Sequence, residues 1–98
     1  MIKIGQFKQR IQQICSDLSL QRLDLIGSAA RDDFASNSDI DVLVNFGGDE
    51  RLFSRYFDLK ERLEAIFERP VDVIEERAVK NPYFKKAIEK DRITIYGT

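Results

Sequence analysis

Two aspartates, Asp39 and Asp41, stand one residue apart at the start of a hydrophobic run. Alternate residues of a β-strand point to the same face, so the two carboxylates are expected roughly 6–7 Å apart on one face. At about 6 Å and an effective dielectric near 20, two such charges repel by roughly 3 kcal/mol. Either a cation or full solvation must offset that cost. Mg²⁺ favours carboxylate oxygens and commonly binds one or two of them together with substrate phosphates.

A third aspartate interrupts another short apolar segment. Asp72 lies within Val71–Ile74, which we interpret as a strand. If this strand lies beside the one that carries Asp39 and Asp41, the three acids share one face. Such a triad suits metal-assisted phosphoryl or nucleotidyl transfer better than hydrolysis through a covalent nucleophile.

The Gly27-Ser28 pair, separated from Asp39 by ten intervening residues, could supply a phosphate site. Glycine lets the backbone approach a ligand, and Ser28 is a good N-cap for a short helix whose N–H groups and dipole favour anions. Arg31 could reach the same phosphates. Taken singly, these features have structural explanations: a turn with a cap, solvated loop acids, or an Asp72 ion pair with Arg69 or Arg92. Their combination in this order favours a site.

The composition excludes several other chemistries. The 98 residues include no histidine, which removes Ser-His-Asp and Cys-His catalysis and histidine-ligated zinc. The lone Cys15 lies on an apolar helical stripe, so we interpret it as a core thiol. A net charge of −1 gives no general attraction to nucleic acid or to an anionic membrane. We see no bilayer-spanning run and no secretory signal at the N-terminus, so we expect one cytoplasmic domain over residues 1–98.

The hydrophobic periodicity predicts an α+β fold of the α/β type, with a small mixed sheet of about four strands flanked by helices. The predicted order is helix, strand, short helix, strand, long helix, strand, helix, strand. The predicted segments are a helix around 7–18, strands at 20–26 and 39–46, a helix over 49–69, a strand at 71–74, a helix from 82 and a strand at 93–96.

The spacing of Gly27-Ser28, Asp39-x-Asp41 and a third strand aspartate resembles the signature of the DNA polymerase beta-like nucleotidyltransferase superfamily. The short chain, with "SDIDVLVNF", "VDVIEE" and "RITIYG", is similar to the minimal nucleotidyltransferases (MNT), the antitoxins of HEPN–MNT toxin–antitoxin pairs. The resemblance covers nearly the whole chain and implies the nucleotidyltransferase fold.

The resemblance also implies a function. Asp39, Asp41 and Asp72 would be the catalytic, Mg²⁺-binding acids, with Asp72 a ligand or a base and two Mg²⁺ ions expected. Gly27 and Ser28 would hold the triphosphate of ATP, with Arg31 nearby. AMP would pass to a tyrosine of a cognate HEPN toxin, which would form a hetero-oligomer with this chain. No membrane and no nucleic acid partner is expected. One departure is Asp32, which stands where the family commonly has glycine after its arginine.

Two alternatives accompany this hypothesis. The chain could neutralise a toxin by binding alone, using apolar helix faces as a docking surface. It could instead modify a small molecule, although 98 residues leave little room for a second, acceptor-binding domain.

Overall fold

The computed structural model describes residues 4–31 and 39–97. Its helices are α1 (Lys8–Asp17), α2 (Leu52–Phe67) and α3 (Pro82–Asp91), and its strands are β1 (Arg22–Ile26), β2 (Ile40–Asn45), β3 (Val71–Glu75) and β4 (Ile93–Tyr96). Short 3₁₀ turns cover Ile4–Gln6, Gly27–Ala30 and Glu76–Ala78. The order confirms the predicted succession, and the predicted bounds of the first two strands and of the long helix prove too wide. Residues 32–38, which include the departure at Asp32, lie outside the described residues.

The four strands form one mixed sheet in the order β3-β2-β1-β4. β1 is antiparallel to β2 and to β4, whereas β2 and β3 are parallel. Parallel neighbours need a crossover connection, and α2 provides it. The α+β fold with a four-stranded mixed sheet predicted from the sequence is confirmed.

The larger core lies on the sheet face covered by α1 and α2. It contains the alternate apolar residues of every strand, such as Leu25, Val42 and Val73, together with the buried side of both helices. Cys15 is buried there, and burial raises the pKa of its thiol to about 12. The thiol is therefore protonated at neutral pH, as expected of a core residue.

A smaller apolar cluster lies on the opposite face, where α3 packs. Its buried members are Ile26, Leu43, Val79 and Ile88, with Ile74 packed against them. Asn81 begins α3, because its side-chain oxygen accepts hydrogen bonds from the backbone N–H groups of Tyr83 and Phe84. Pro82 occupies the first turn, as the sequence predicts. This face of the sheet also carries the acids.

Candidate active site

Asp41 and Asp72 are direct partners on neighbouring strands. The parallel register of β2 and β3 pairs them, and it pairs Leu43 with Ile74 one row further along. Burial and the negative charges of Asp72 and Asp39 raise the pKa of Asp41, while Arg31 lowers it in part. The expectation that Asp72 lies beside Asp41 is therefore met by the strand register. Two acids that repel one another thus occupy paired strand positions at which apolar residues would have been compatible with the sheet.

Asp39 directly precedes β2 and is exposed. Within residues 4–31 and 39–97, no three His, Cys, Asp or Glu side chains converge closely enough to form a ready-made metal-binding group. The predicted three-carboxylate ligand set is thus not assembled by the described side chains alone, and the roles of Asp39, Asp41 and Asp72 stay predictions. The donor chemistry still fits Mg²⁺, since hard oxygens from one or two carboxylates, completed by substrate phosphates, are its usual protein ligands.

Gly27 lies against the Asp41 carboxylate. Its φ is +68°, which disfavours any residue with a side chain. A Cβ atom at this position would lie 2.7 Å from Asp41 Oδ2. Glycine is therefore needed at position 27 for two reasons: the backbone angle is positive, and a Cβ atom would collide with the Asp41 carboxylate.

Ser28 lies inside the 3₁₀ turn Gly27–Ala30 and does not cap it. The N-cap position is Ile26, which makes no side-chain cap hydrogen bond, so the predicted N-cap role of Ser28 is wrong. A turn of four residues also lacks the aligned peptide dipoles of a longer helix. Any anion binding at Gly27-Ser28 must depend on individual backbone N–H groups and the serine hydroxyl.

Arg31 follows this turn and connects the site to α3. Its Nη1 lies 3.1 Å from Asp91 Oδ2, near the end of α3. Arg31 also lines the same cavity as Asp41, and its positive charge lowers the pKa of that acid in part. The guanidinium thus lies where it could meet a phosphate.

A second acidic site on the same face was not predicted. Asp24 on β1 is fully buried and accepts hydrogen bonds from Arg92 and Arg22. Arg92 also pairs with Glu76 and Glu89, so it joins β1 to α3 and to the Glu76–Ala78 turn. This arrangement contradicts the alternative in which Arg92 would neutralise Asp72. The alternation of β1 could have suggested an inward Asp24, but no local pattern identifies a partner 68 residues away.

A cavity of about 180 Å³ opens between the acids and α3. Gly27, Arg31, Asp41 and Asp91 form its polar side. Its remaining walls are the apolar side chains of Ile26, Ile74, Phe84, Ala87 and Ile88.

A mixed sheet with paired acids beside a tight glycine turn is the architecture of a nucleotidyltransferase. The chain belongs to the nucleotidyltransferase domain family, whose model matches residues 6–95. The relatives support the same class. A protein of Methanocaldococcus jannaschii, MJ1379, named as a candidate protein adenylyltransferase, is 36% identical in an alignment of 95 residues that covers 95% of each chain. The chain is accordingly an adenylyltransferase, and the predicted kind of reaction is confirmed.

Solved structures establish the same fold. One, a toxin–antitoxin crystal structure with AMP-PNP, matches with a TM-score of 0.74 at 22% identity, covering 93% of this chain and 73% of that one. Another contains a tri-AMPylated HEPN toxin of Shewanella oneidensis in complex with its MNT antitoxin. It matches with a TM-score of 0.69 at 19% identity, covering 96% of this chain and 72% of that one. Separately, no helix in the described part of the chain is long and apolar enough to cross a membrane.

Proposed function

We propose that this chain transfers AMP from ATP to a tyrosine hydroxyl of a cognate HEPN toxin and thereby acts as its antitoxin. The observation that carries the proposal is the pairing of Asp41 with Asp72 beside Gly27. The protein adenylyltransferase name of the archaeal relative supports a protein acceptor. The AMPylated HEPN toxin in the complex of like fold supports the identity of the partner.

Asp39 and Asp41 would hold Mg²⁺ together with the phosphates of ATP, and Asp72 would act either as a third ligand or as the base. Burial, and after it the negative charges of Asp72 and Asp39, raise the pKa of Asp41, and a divalent cation would offset the negative charge of these carboxylates. When bound, Mg²⁺ would neutralise phosphate charge and orient the pyrophosphate leaving group. AMP-PNP in the toxin–antitoxin crystal structure supports ATP as the nucleotide.

The residues of this chain would divide the remaining work. The backbone of Gly27 and Ser28 would donate hydrogen bonds to the β- and γ-phosphates, and Arg31 would add positive charge. The acceptor oxygen attacks the α-phosphorus, the bond from that phosphorus to the bridging oxygen of pyrophosphate breaks, and the hydroxyl proton passes to a carboxylate. Asp72 is suited to take that proton, because it is exposed to an incoming acceptor whereas Asp41 is half-buried.

Labelled ATP tests this reaction directly. The chain, Mg²⁺ and the protein encoded beside it are incubated with ATP labelled at the α- or the γ-phosphate. Label from the α-phosphate alone should appear on the neighbour, and replacing its acceptor tyrosine with phenylalanine should abolish it. Asp41→Asn should lose the transfer, whereas Asp49→Asn, which changes an exposed surface acid, should retain it. Equal labelling by Asp41→Asn would overturn the proposed role of the acids.

Exposed aromatic side chains favour the second candidate function, neutralisation by binding. Phe53 is 79% exposed on α2, its ring centroid lies 4.7 Å from that of Phe57, and Tyr56 packs against Phe57. Phe53 and Phe57 are therefore not part of the core, and they could dock a partner. An Asp39→Asn/Asp41→Asn double variant separates the two functions. Full protection of cells without AMP transfer would favour binding alone.

A further inference from the structure

The cavity beside Asp41 has the size and the lining of a site for a flat ring. Its volume of about 180 Å³ equals roughly six water molecules at liquid density. That volume is below the roughly 300 Å³ at which pockets for whole drug-sized ligands begin. It suits a base of one or two rings and excludes a complete nucleotide.

Only some of the apolar side chains that line the cavity are buried in the core of the protein. Ile26 and Ile88 are buried in the smaller core cluster and form the inner wall of the cavity. Phe84, one turn before Ile88 on α3, is 42% exposed at the cavity. Ala87, on the same helix, is also exposed. An aromatic ring that faces an apolar cavity offers a stacking surface that the protein itself leaves uncovered.

The cavity and the acids share two residues. Gly27 and Asp41 lie at the proposed phosphate and metal site and also line the cavity. A nucleotide whose phosphates bind at Gly27 and Asp41 therefore has its sugar and base beside this opening. The Arg31–Asp91 ion pair lies at the same opening and ties α3, which carries Phe84, to the phosphate side.

We infer that this cavity binds the adenine base of ATP, with Phe84 stacking on the ring and the aliphatic side chains of Ile26, Ile74 and Ile88 packing around it. The inference rests on the proposed function, because it places the base of the same nucleotide. It assigns to α3 a binding role that its helical stripe alone does not reveal. Base–aromatic stacking typically changes affinity by about ten-fold or more when the aromatic residue is removed.

Binding of two ligands separates base recognition from phosphate recognition. Calorimetric titrations in Mg²⁺ compare ATP with inorganic tripolyphosphate, which carries the phosphates without a base. Phe84→Ala should weaken ATP binding by about ten-fold and leave tripolyphosphate binding unchanged. Tyr83→Ala is the matched control, because Tyr83 is 83% exposed and does not line the cavity; it should change neither affinity.

A second variant keeps the test independent of any effect on folding. Ala87→Leu fills the cavity without removing a contact, and it should weaken ATP binding while leaving tripolyphosphate binding intact. If Phe84→Ala and Ala87→Leu bind ATP as tightly as the unaltered chain, or weaken both ligands equally, the inference is overturned. If the unaltered chain binds tripolyphosphate as tightly as ATP, the inference fails and the proposed function stands. If it binds neither ligand, the proposed function fails and the inference fails with it.

Discussion

Neutralising Asp41 should stabilise the metal-free protein. Asp41 and Asp72 are neighbours in the parallel register, so their backbones lie about 5 Å apart. Two charges at that separation repel by roughly 3 kcal/mol at an effective dielectric of 20. Because Asp72 is exposed, solvent screening lowers this to about 1–2 kcal/mol. Asp41→Asn removes the repulsion and leaves a side chain of nearly the same shape.

The expected gain is large enough to measure by thermal unfolding in EDTA. In a domain of this size, each kcal/mol shifts the unfolding midpoint by about 4–8 °C, so Asp41→Asn should unfold about 4–15 °C above the unaltered chain at neutral pH. Asp49→Asn is the control: Asp49 is 90% exposed in its side chain and its ion pair with Arg77 is long, at 3.4 Å. It should change stability by no more than about 0.5 kcal/mol.

The advantage of Asp41→Asn should depend on pH in a defined direction. The folded-state pKa of Asp41 lies above the ordinary value of 3.8, so protonation favours the folded state. The unaltered chain should therefore match the variant below about pH 3.8 and lose stability relative to it as the pH rises through the folded-state pKa. The full difference should be present at neutral pH.

Magnesium should reverse the comparison. A ligand that binds only the folded state raises its stability, so millimolar Mg²⁺ with ATP should stabilise the unaltered chain more than Asp41→Asn. The reasoning is refuted if Asp41→Asn is less stable than the unaltered chain in EDTA, or if Mg²⁺ and ATP stabilise both proteins equally.

Further substitutions test the residues that support the site and the fold around it. Gly27→Ala forces a Cβ against Asp41 at a positive φ; it should cost about 1–2 kcal/mol in urea denaturation and slow AMP transfer measured with labelled ATP. Arg92→Ala leaves the buried Asp24 with less compensation and should cost about 3 kcal/mol in the same denaturation assay. Replacing both Asp24 and Arg92 with leucine should recover part of that loss. Arg55→Ala leaves four backbone carbonyls without the hydrogen bonds that the buried Arg55 donates, and it should lower the free energy of unfolding, measured by thermal unfolding, by about 2 kcal/mol.

The position of the acids could be predicted because it depends on a local rule. The alternation of β2 places Asp41 and Leu43 on one face and Val42 and Val44 on the other, and any strand with this pattern does the same. The pairing with Asp72 needed one further assumption, that β3 lies beside β2, and the crossover through α2 makes that neighbour natural.

The buried charges could not be predicted, because their partners are distant in sequence. Arg55 on α2 is buried, and its guanidinium donates hydrogen bonds to the carbonyls of Leu18, Ser19, Phe46 and Glu50. A helical pattern treats an arginine as a solvent-facing residue. The loops before β1 and after β2 meet beside Arg55, and their backbone carbonyls need hydrogen-bond donors there. Because Arg55 supplies these donors, its burial is favourable.

The two groups of acids on one face of the sheet show how the fold separates structural charge from functional charge. Asp24, on β1, is buried and directly held by Arg92 and Arg22, so its charge is compensated within the protein. Asp41 lies on β2, two residues before the position that pairs with Asp24. It faces another acid, and the positive charge of Arg31 offsets only part of the repulsion. This sheet can therefore neutralise a carboxylate with arginine, and it does so at Asp24. That it leaves Asp41 beside Asp72 is the physical reason to expect an external cation there, since apolar residues would have filled a purely structural role without this repulsion.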